Sequence, residues 1–514
     1  METIVEILVV IAAVWPAILA CASAPYRRAN PRATLFASGA LLLIAAVTGA
    51  AVLVHPAALR ALAALSAVAA AAARWRSRPA FGRARRLPPG RLTLLPPLAA
   101  VRNPDFLVQQ SAAYGPVFKI GGLRHPVACI VGLKRGQDLL QRFDDALAVP
   151  TLPFSREIPR GFLRYQSRDD HPRYRRVLAR ALSGDLVDSC EPGIGRAMRD
   201  TVAAMAAASR TAPGGGIAPL PFLRGGVFAC LAECLLGVAS GDPRFPALVA
   251  AFRGLDHHRS VTLFAARGRR SLAAVAGIVA RPTTRCLLSE VAATAPELAA
   301  DPTVLGNVAY MARAAGVDVA DLLRWIVKLL CDNPAWLEHL RAAGAAGGKA
   351  GGRSVAVAVT YETLRLAQTE HITRVAARAI DFAGFVIPKG WAVRICVRES
   401  HRDAGVFPGP ERFDPGRFLA GRPPITAFMP FGAHRHACLG EQLTVAIATS
   451  FLAALAGGHD LTVVCDGPVE MGPFHWRPSS RFRVRLTPRR QSASLAAADV
   501  RERPHPATVA GAPA

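Results

Sequence analysis

The sequence of 514 residues predicts a mainly α-helical, α+β domain that follows N-terminal transmembrane helices. Two observations predict this class. Between residues 105 and 487, alanine- and leucine-rich stretches of helical character are interrupted only by short strand-like pieces such as GPVFKI, PVACIVG and FRVRLT. Before them, residues 1–73 contain three apolar stretches, each about long enough to cross a bilayer.

Three successive apolar stretches favour a retained membrane anchor, because a cleaved signal peptide would be one short stretch. One arginine cluster lies between the first two stretches, and a second cluster follows the third. Both clusters can be cytoplasmic only if the chain crosses three times, which predicts a multi-pass anchor in membrane lipid and a cytoplasmic main domain. The third stretch carries Arg60 and could be an interfacial helix, so two to three transmembrane helices are predicted.

Composition divides the rest of the chain into three parts. Residues 74–100 are basic and proline-rich, which predicts a stiff linker. Residues 101–487 carry the helical pattern and form the main domain. Residues 488–514 contain little to bury, which predicts a disordered tail.

Charge and cysteine usage argue against two classes of protein. The 62 Lys and Arg outnumber the 36 Asp and Glu, but the arginines are scattered and no nucleic-acid motif accompanies them, so we expect no nucleic-acid partner. The excess charge suits a membrane surface or an acidic protein. The 10 cysteines include no CxxC pair, which argues against a disulfide framework or a zinc ribbon. Cys230 and Cys234 lie in an apolar run and are expected in the core.

Cys438 stands apart from the other cysteines. The decapeptide FGAHRHACLG surrounds it with two glycines and three basic side chains. Gly432 and Gly440 permit close approach of the backbone, and Arg435 and His436 favour the thiolate. A single thiolate with no second sulfur or paired histidine nearby suits the axial ligand of an iron porphyrin better than it suits zinc, which needs several protein ligands.

Two further segments predict a structural network. In YETLRLAQ, Glu362 and Arg365 stand three residues apart and share one helix face, although such a pair alone is typical of a helix surface. The proline- and glycine-rich segment FPGPERFDPGRF supplies Arg412. We expect Glu362, Arg365 and Arg412 to form a three-member network that pins this loop to the helix.

The long helical stretch YMARAAGVDVADLLRWIVKLLCDNP supplies the candidate catalytic residues. Ala315 and Gly316 are small enough to leave room beside a flat cofactor, and Asp318 follows them closely. We expect the small residues to keep a channel open to the cofactor.

These segments, in this order, resemble the cytochrome P-450 superfamily, the heme-thiolate monooxygenases, over roughly residues 100–487. Phe431, Cys438 and Gly440 match the family's heme-binding loop FxxGxxxCxG, and the ExxR and PERF-type segments are matched as well. The resemblance implies the cytochrome P-450 fold. It also implies heme b, iron protoporphyrin IX, as the cofactor, with Cys438 as the axial ligand of its iron.

The resemblance further implies four basic partners for the two heme propionates. The segment DDHPRYRRVL resembles the family's propionate-binding helix and places His171 and Arg175 four residues apart, on one face. Arg374 lies in the strand segment after ExxR, and His436 stands where the family carries an arginine or histidine. Two carboxylates buried near the protein need such cations to offset their desolvation.

The sequence departs from the family at two positions. His434 stands where the heme loop usually has glycine, so we expect a residue with a Cβ at positive φ in this turn. Val319 stands where the family usually has a threonine beside the acidic residue. The hydroxyl that usually assists proton delivery is therefore missing.

The implied function is hydroxylation of a hydrophobic small molecule with O2, with Asp318 and water bringing protons. We expect electrons from a separate ferredoxin, flavodoxin or flavoprotein reductase that docks near Arg435, because the stretch after residue 487 is too short for a reductase domain. Two alternatives stay open. A heme-thiolate isomerase or dehydratase, or a peroxide-driven enzyme, would need no external reductase. A non-enzymatic heme-binding membrane protein would need a closed pocket.

Overall fold

The computed structural model describes residues 87–93, 98–122, 125–150, 158–255, 264–367, 371–472 and 475–489. The predicted anchor at 1–73, and most of the predicted linker and tail, lie outside these residues. Within the described ranges, no helix is both long enough and apolar enough to cross a membrane.

Helices make up most of the described chain, as the sequence predicts. In chain order they are α1 (Ala99–Arg102), α2 (Phe106–Tyr114), α3 (Leu133–Arg142), α4 (Asp170–Ala181), α5 (Gly184–Thr211), α6 (Leu220–Leu236), α7 (Phe245–Arg253), α8 (Phe264–Val279), α9 (Leu287–Thr294), α10 (Pro302–Asp332), α11 (Pro334–Leu366), α12 (Val397–Ser400) and α13 (Glu441–Ala456).

The strands are short, and the three strand-like pieces of the sequence are confirmed as β1, β2 and β11. In chain order the strands are β1 (Val117–Gly122), β2 (His125–Ile130), β3 (Leu147–Ala148), β4 (Ile372–Ala376), β5 (Ile380–Phe382), β6 (Phe385–Ile387), β7 (Ala392–Ile395), β8 (His459–Cys465), β9 (Glu470–Met471), β10 (Trp476–Arg477) and β11 (Arg483–Pro488).

Five of these strands form one sheet, in the order β1-β2-β7-β4-β3. β2 and β7 are parallel, and the other neighbours are antiparallel. Val117, Ile130, Val393 and Ile395 are buried on the sheet and form a small core with their neighbours. Pairing with β7 on one side and β3 on the other fixes β4, which carries Arg374.

The larger core lies between the helices, with α10 packed against α6 and α11. α10 begins at Pro302, and the side chain of Asp301 caps it by accepting a hydrogen bond from the Thr303 N–H at 2.7 Å. Cys230 and Cys234 of α6 are buried in this core, which confirms their predicted packing role.

Glu362 and Arg365, near the end of α11, form a fully buried ion pair. Arg365 donates from Nε to Glu362 Oε2 at 2.7 Å and from Nη2 to Oε1 at 2.8 Å, which is a bidentate arrangement. Its Nη1 donates to the carbonyl oxygen of His401 at 2.9 Å. The pair is therefore part of the core, and the prediction that it is more than a surface pair is confirmed.

The predicted third member of the network, Arg412, does not contribute its side chain. That side chain is 73% exposed and binds Asp414, and only the Arg412 carbonyl oxygen accepts from Arg365, at 3.3 Å. Arg417 occupies the position predicted for Arg412, with its Nε 3.5 Å from Glu362 Oε1. The cause is a short 3-10 helix at Pro415–Phe418, capped by the Asp414 side chain, which turns Arg417 back toward α11.

Replacing the two loop arginines separates their roles. Arg417→Ala is expected to lower the free energy of unfolding by about 1–3 kcal/mol, because it removes a partner of a buried carboxylate. Arg412→Ala is the matched control and should change it by less than about 0.5 kcal/mol, since its side chain is exposed. Chemical denaturation measures both. An equal loss of unfolding free energy in the two variants would contradict the assignment of Arg417 to the network.

Breaking the buried pair itself should have a larger effect. Glu362→Ala or Arg365→Ala leaves one buried charge without its partner, which costs about 3–5 kcal/mol. We expect neither variant to give folded, heme-loaded protein, as measured by heme content per chain after purification. Normal heme content in both variants would show that the pair is dispensable.

Candidate functional site

Cys438 lies in a loop that ends at the N-terminus of α13. Its backbone N–H donates to the carbonyl oxygen of Phe431 at 2.8 Å, which closes the loop. Gly440 directly precedes the first residue of α13, Glu441. Because the N-terminus of a helix carries partial positive charge, this position favours the thiolate form of a cysteine.

Two residues of this loop have left-handed backbone conformations. Gly432 has φ 73° and His434 has φ 57°. The prediction that His434 makes the turn with a Cβ at positive φ is therefore confirmed. A short 3-10 helix at His434–His436 follows, and Arg435 Nη2 lies 2.9 Å from Asp144 Oδ1.

A cavity of about 320 Å³ lies between the Cys438 loop and α10. Cys438 is an exposed residue in the structure and contributes to the cavity wall. The α10 side is formed by Ala314, Ala315, Asp318 and Val319. Much of the remaining wall is apolar and includes Phe162, Leu163, Leu231, Leu235, Met311, Leu364 and Ile372.

The cavity brings together all but one of the predicted cofactor and catalytic residues. Those in its lining are Cys438, His436, Arg374, His171, Arg175, Phe431, Gly432, Gly440, Ala315 and Asp318. Gly316 is not among them; an added Cβ there would face Leu231 Cδ1 of α6, at 3.8 Å. Ala314 and Ala315 stand four and three residues before Asp318, so both share a helix face with it.

The four predicted propionate partners form one basic group at the cavity. His171 of α4 and His436 of the loop have ring centroids 4.6 Å apart. Arg175 lies one turn after His171, and Arg374 of β4 is 7% exposed. Three distant parts of the chain therefore bring two arginines and two imidazoles to the wall of one cavity.

Burial and cationic neighbours lower the pKa of several of these groups. Burial, with Arg175 and Arg435, lowers the pKa of His171 to about 4. Burial, with Arg374, His171 and other cations, lowers the pKa of His436 to about 3. Burial, with Arg164 and Arg435, lowers the pKa of Arg374 to about 10. Each shift disfavours the charged form, and a bound anion would oppose it.

This site fits heme b. An anionic group would relieve the mutual repulsion of the basic residues, and His436 Nδ1 is buried without a hydrogen-bond partner among the described residues. Ala314 and Ala315 leave space on the side opposite the loop. A flat dianionic porphyrin with a thiolate ligand matches this combination of charge, space and donor atom.

Three basic residues of the cavity wall were not predicted. They are Arg164, His371 and His475. His475 lies between β9 and β10, and its Nε2 is 3.4 Å from Asp321 Oδ2 of α10. Asp321 stands three residues after Asp318, a spacing that could have marked it, whereas no sequence motif contains His475.

Comparisons with known proteins agree with this site. The family model for cytochrome P450 matches residues 353–456, which include the Glu362–Arg365 pair and Cys438. Abscisic acid 8'-hydroxylase 3 of Oryza sativa subsp. indica is 29% identical over 409 residues, which cover 72% of this chain and 79% of that protein. Abscisic acid 8'-hydroxylase 1 of Arabidopsis thaliana is 32% identical over 189 residues, 34% of this chain and 40% of that protein.

Solved structures show the same fold. The retinoic acid-bound structure of cyanobacterial CYP120A1 has a TM-score of 0.66 and 22% identity, and the match covers 79% of this chain and 100% of that one. A zebra fish cytochrome P450 solved with abiraterone has a TM-score of 0.61 and 19% identity, over 75% of this chain and 99% of that one.

The family match overlaps the buried pair and the thiolate loop, the matched structures have the same fold, and the cavity fits the cofactor. The chain therefore belongs to the cytochrome P450 superfamily of heme-thiolate monooxygenases, whose cofactor is heme b.

Proposed function

We propose that this P450 hydroxylates a hydrophobic small molecule with O2, using electrons from a separate redox partner. The observation that carries this proposal is the largely apolar cavity between the Cys438 loop and α10. Such a wall excludes water and binds apolar groups. The relatives named above are hydroxylases of abscisic acid, and CYP120A1 holds retinoic acid, so both molecules are reasonable probes.

Specific side chains would hold the cofactor. Cys438 would bind the iron, and His171, Arg175, Arg374 and His436 would bind the two propionates. When bound, heme would supply the oxygen-activating chemistry at this site. The protein's contribution is to fix the cofactor, keep the thiolate ionised and exclude water from the apolar wall.

Proton supply would fall to Asp318. It lines the cavity on α10, beside Val319, which is buried and has no hydroxyl. A carboxyl group at the cavity wall can exchange protons with water and hold one near the reacting atoms. The protein would therefore rely on Asp318, ordered water or the substrate itself for this step.

The redox partner and the cellular location of the protein are also part of the proposal. We propose that a ferredoxin, flavodoxin or flavoprotein reductase docks near Arg435, whose side chain is 37% exposed beside the exposed His434. A basic surface of this kind favours an acidic protein. We also propose that residues 1–73 anchor the chain in membrane lipid, with the catalytic domain in the cytoplasm.

Val319 keeps a second candidate function open. Without the hydroxyl beside Asp318, the site could function as that of an isomerase, a dehydratase or a peroxide-driven enzyme. None of these would need an external reductase. A non-enzymatic heme protein is disfavoured, because the cavity beside Ala314 and Ala315 is open.

Cys438→Ala should abolish the thiolate-type absorbance of the reduced, carbon monoxide-treated protein, because it removes the sulfur ligand. Cys465→Ala, on β8, is the matched control and should retain that absorbance. A Cys438→Ala protein with an unchanged spectrum would remove the ligand assignment.

Val319→Thr distinguishes the two candidate functions. Thr360 and Thr363 already donate their hydroxyls to carbonyl oxygens four residues back, each at 2.8 Å, and a threonine at 319 can do the same. A monooxygenase should then give equal or more product for each reducing equivalent consumed, and release equal or less hydrogen peroxide. Product formed at the same rate without any reductant or peroxide would favour the isomerase or dehydratase.

Removal of residues 1–73 tests the anchor. The shortened protein should appear in the soluble fraction with heme bound, because the apolar stretches are gone and the heme site lies elsewhere in the chain. The measurement is heme absorbance in supernatant and pellet after a carbonate wash. Heme-loaded protein that still pellets with membranes would place the anchor in another segment.

A further inference from the structure

A buried acidic residue on α10 has no role in the mechanism above. Asp321 is fully buried, one turn after Asp318. Its Oδ2 lies 2.6 Å from Arg477 Nε and 3.4 Å from His475 Nε2. Its Oδ1 is buried and has no hydrogen-bond partner among the described residues. Burial of a carboxylate away from water costs free energy, so the contacts of Asp321 with His475 and Arg477 indicate which groups it holds in place.

His475 connects this carboxylate to the cavity. It is 4% exposed, it lies between β9 and β10, and it lines the cavity wall. α10 also holds this hairpin directly, since Trp325 Nε1 donates to the Trp476 carbonyl oxygen at 3.0 Å. A contact between an imidazole nitrogen and a buried carboxylate fixes the orientation of the ring. Asp321 therefore positions His475 at the wall.

A second imidazole lies at the same cavity. His371, directly before β4, also lines the wall, and its pKa is held well below the usual value by burial and then by Arg394, Arg164 and His475. Two arginines, Arg164 and Arg394, therefore act on His371, and Arg164 lines the same wall. Cations beside a mostly apolar wall make this a favourable place for a negatively charged group.

We propose that His475, positioned by Asp321, acts with His371 to bind the carboxylate of a hydrophobic carboxylic-acid substrate. A carboxylate held at these imidazoles fixes which carbons of the apolar part can reach the reactive centre. The inference rests on the proposed monooxygenase function and adds the chemical class of the substrate.

Acid and ester pairs test the inference, because the two members differ mainly in the negative charge. The full-length, heme-loaded protein is titrated with retinoic acid and methyl retinoate, and with abscisic acid and methyl abscisate, while the heme absorbance is followed. The parent should bind at least one acid about tenfold or more tightly than its ester, as expected for hydrogen bonds to a charged group.

Three variants locate the effect. His475→Gln should reduce the preference for the acid by about tenfold and leave ester affinity nearly unchanged, because it removes the imidazole and keeps a polar side chain. Asp321→Asn should reduce the same preference, since it weakens the positioning of His475. His339→Gln is the matched control, an exposed histidine on α11, and should leave the preference unchanged. General damage to the fold would lower acid and ester affinity together.

Two results would overturn the inference. One is an equal response to acid and ester in both pairs, including no response to either, and the other is an unchanged preference in His475→Gln. The proposed function is tested separately in the same preparations, by the carbon monoxide spectrum and by reductant-dependent turnover. The carbon monoxide spectrum and the reductant-dependent turnover would be unchanged if only the carboxylate inference failed.

Discussion

The buried Glu362–Arg365 pair is the interaction on which the thiolate loop depends. Two charges leave water here, which is tolerable only if hydrogen bonds satisfy both groups. The partners come from the irregular segment between α12 and the thiolate loop: Arg365 donates to the His401 carbonyl oxygen, and the Asp414 N–H donates to Glu362 Oε1 at 2.8 Å. These hydrogen bonds fix the conformation of a segment that has little regular secondary structure.

His401 carries this constraint from the pair to the thiolate loop. Burial and the Arg365 charge lower the pKa of the His401 ring to about 3, so the ring is neutral and can accept a hydrogen bond. Its Nε2 accepts from the Met429 N–H at 3.0 Å, and the Met429 carbonyl oxygen accepts from the Gly432 N–H at 3.4 Å. Gly432 begins the left-handed turn of the cysteine loop. The position of the sulfur is therefore coupled to a salt bridge on another helix.

Features encoded within one short segment could be predicted from the sequence, and features set by tertiary contacts could not. Cys438 was identified because its glycines and basic neighbours lie within ten residues. Arg417 was missed in favour of Arg412, because only the 3-10 turn between them decides which one faces α11. Gly316 lies outside the cavity lining although it directly follows Ala315, and the small residues around it mark no single face of α10. His475 carries no sequence signal, since packing of its hairpin against α10 brings it to the cavity.

The two carboxylates of α10 show how one helix can serve two purposes. Asp318 lines the cavity, where a carboxyl group can exchange protons with water. Asp321 is fully buried, and its Oδ2 lies 2.6 Å from Arg477 Nε, an ion pair that fixes the position of the carboxylate. Val319, next to Asp318, has no hydroxyl to assist a proton transfer. We therefore propose separate roles for the two carboxylates, one turn apart on the same helix: proton supply by Asp318 and positioning of His475 by Asp321.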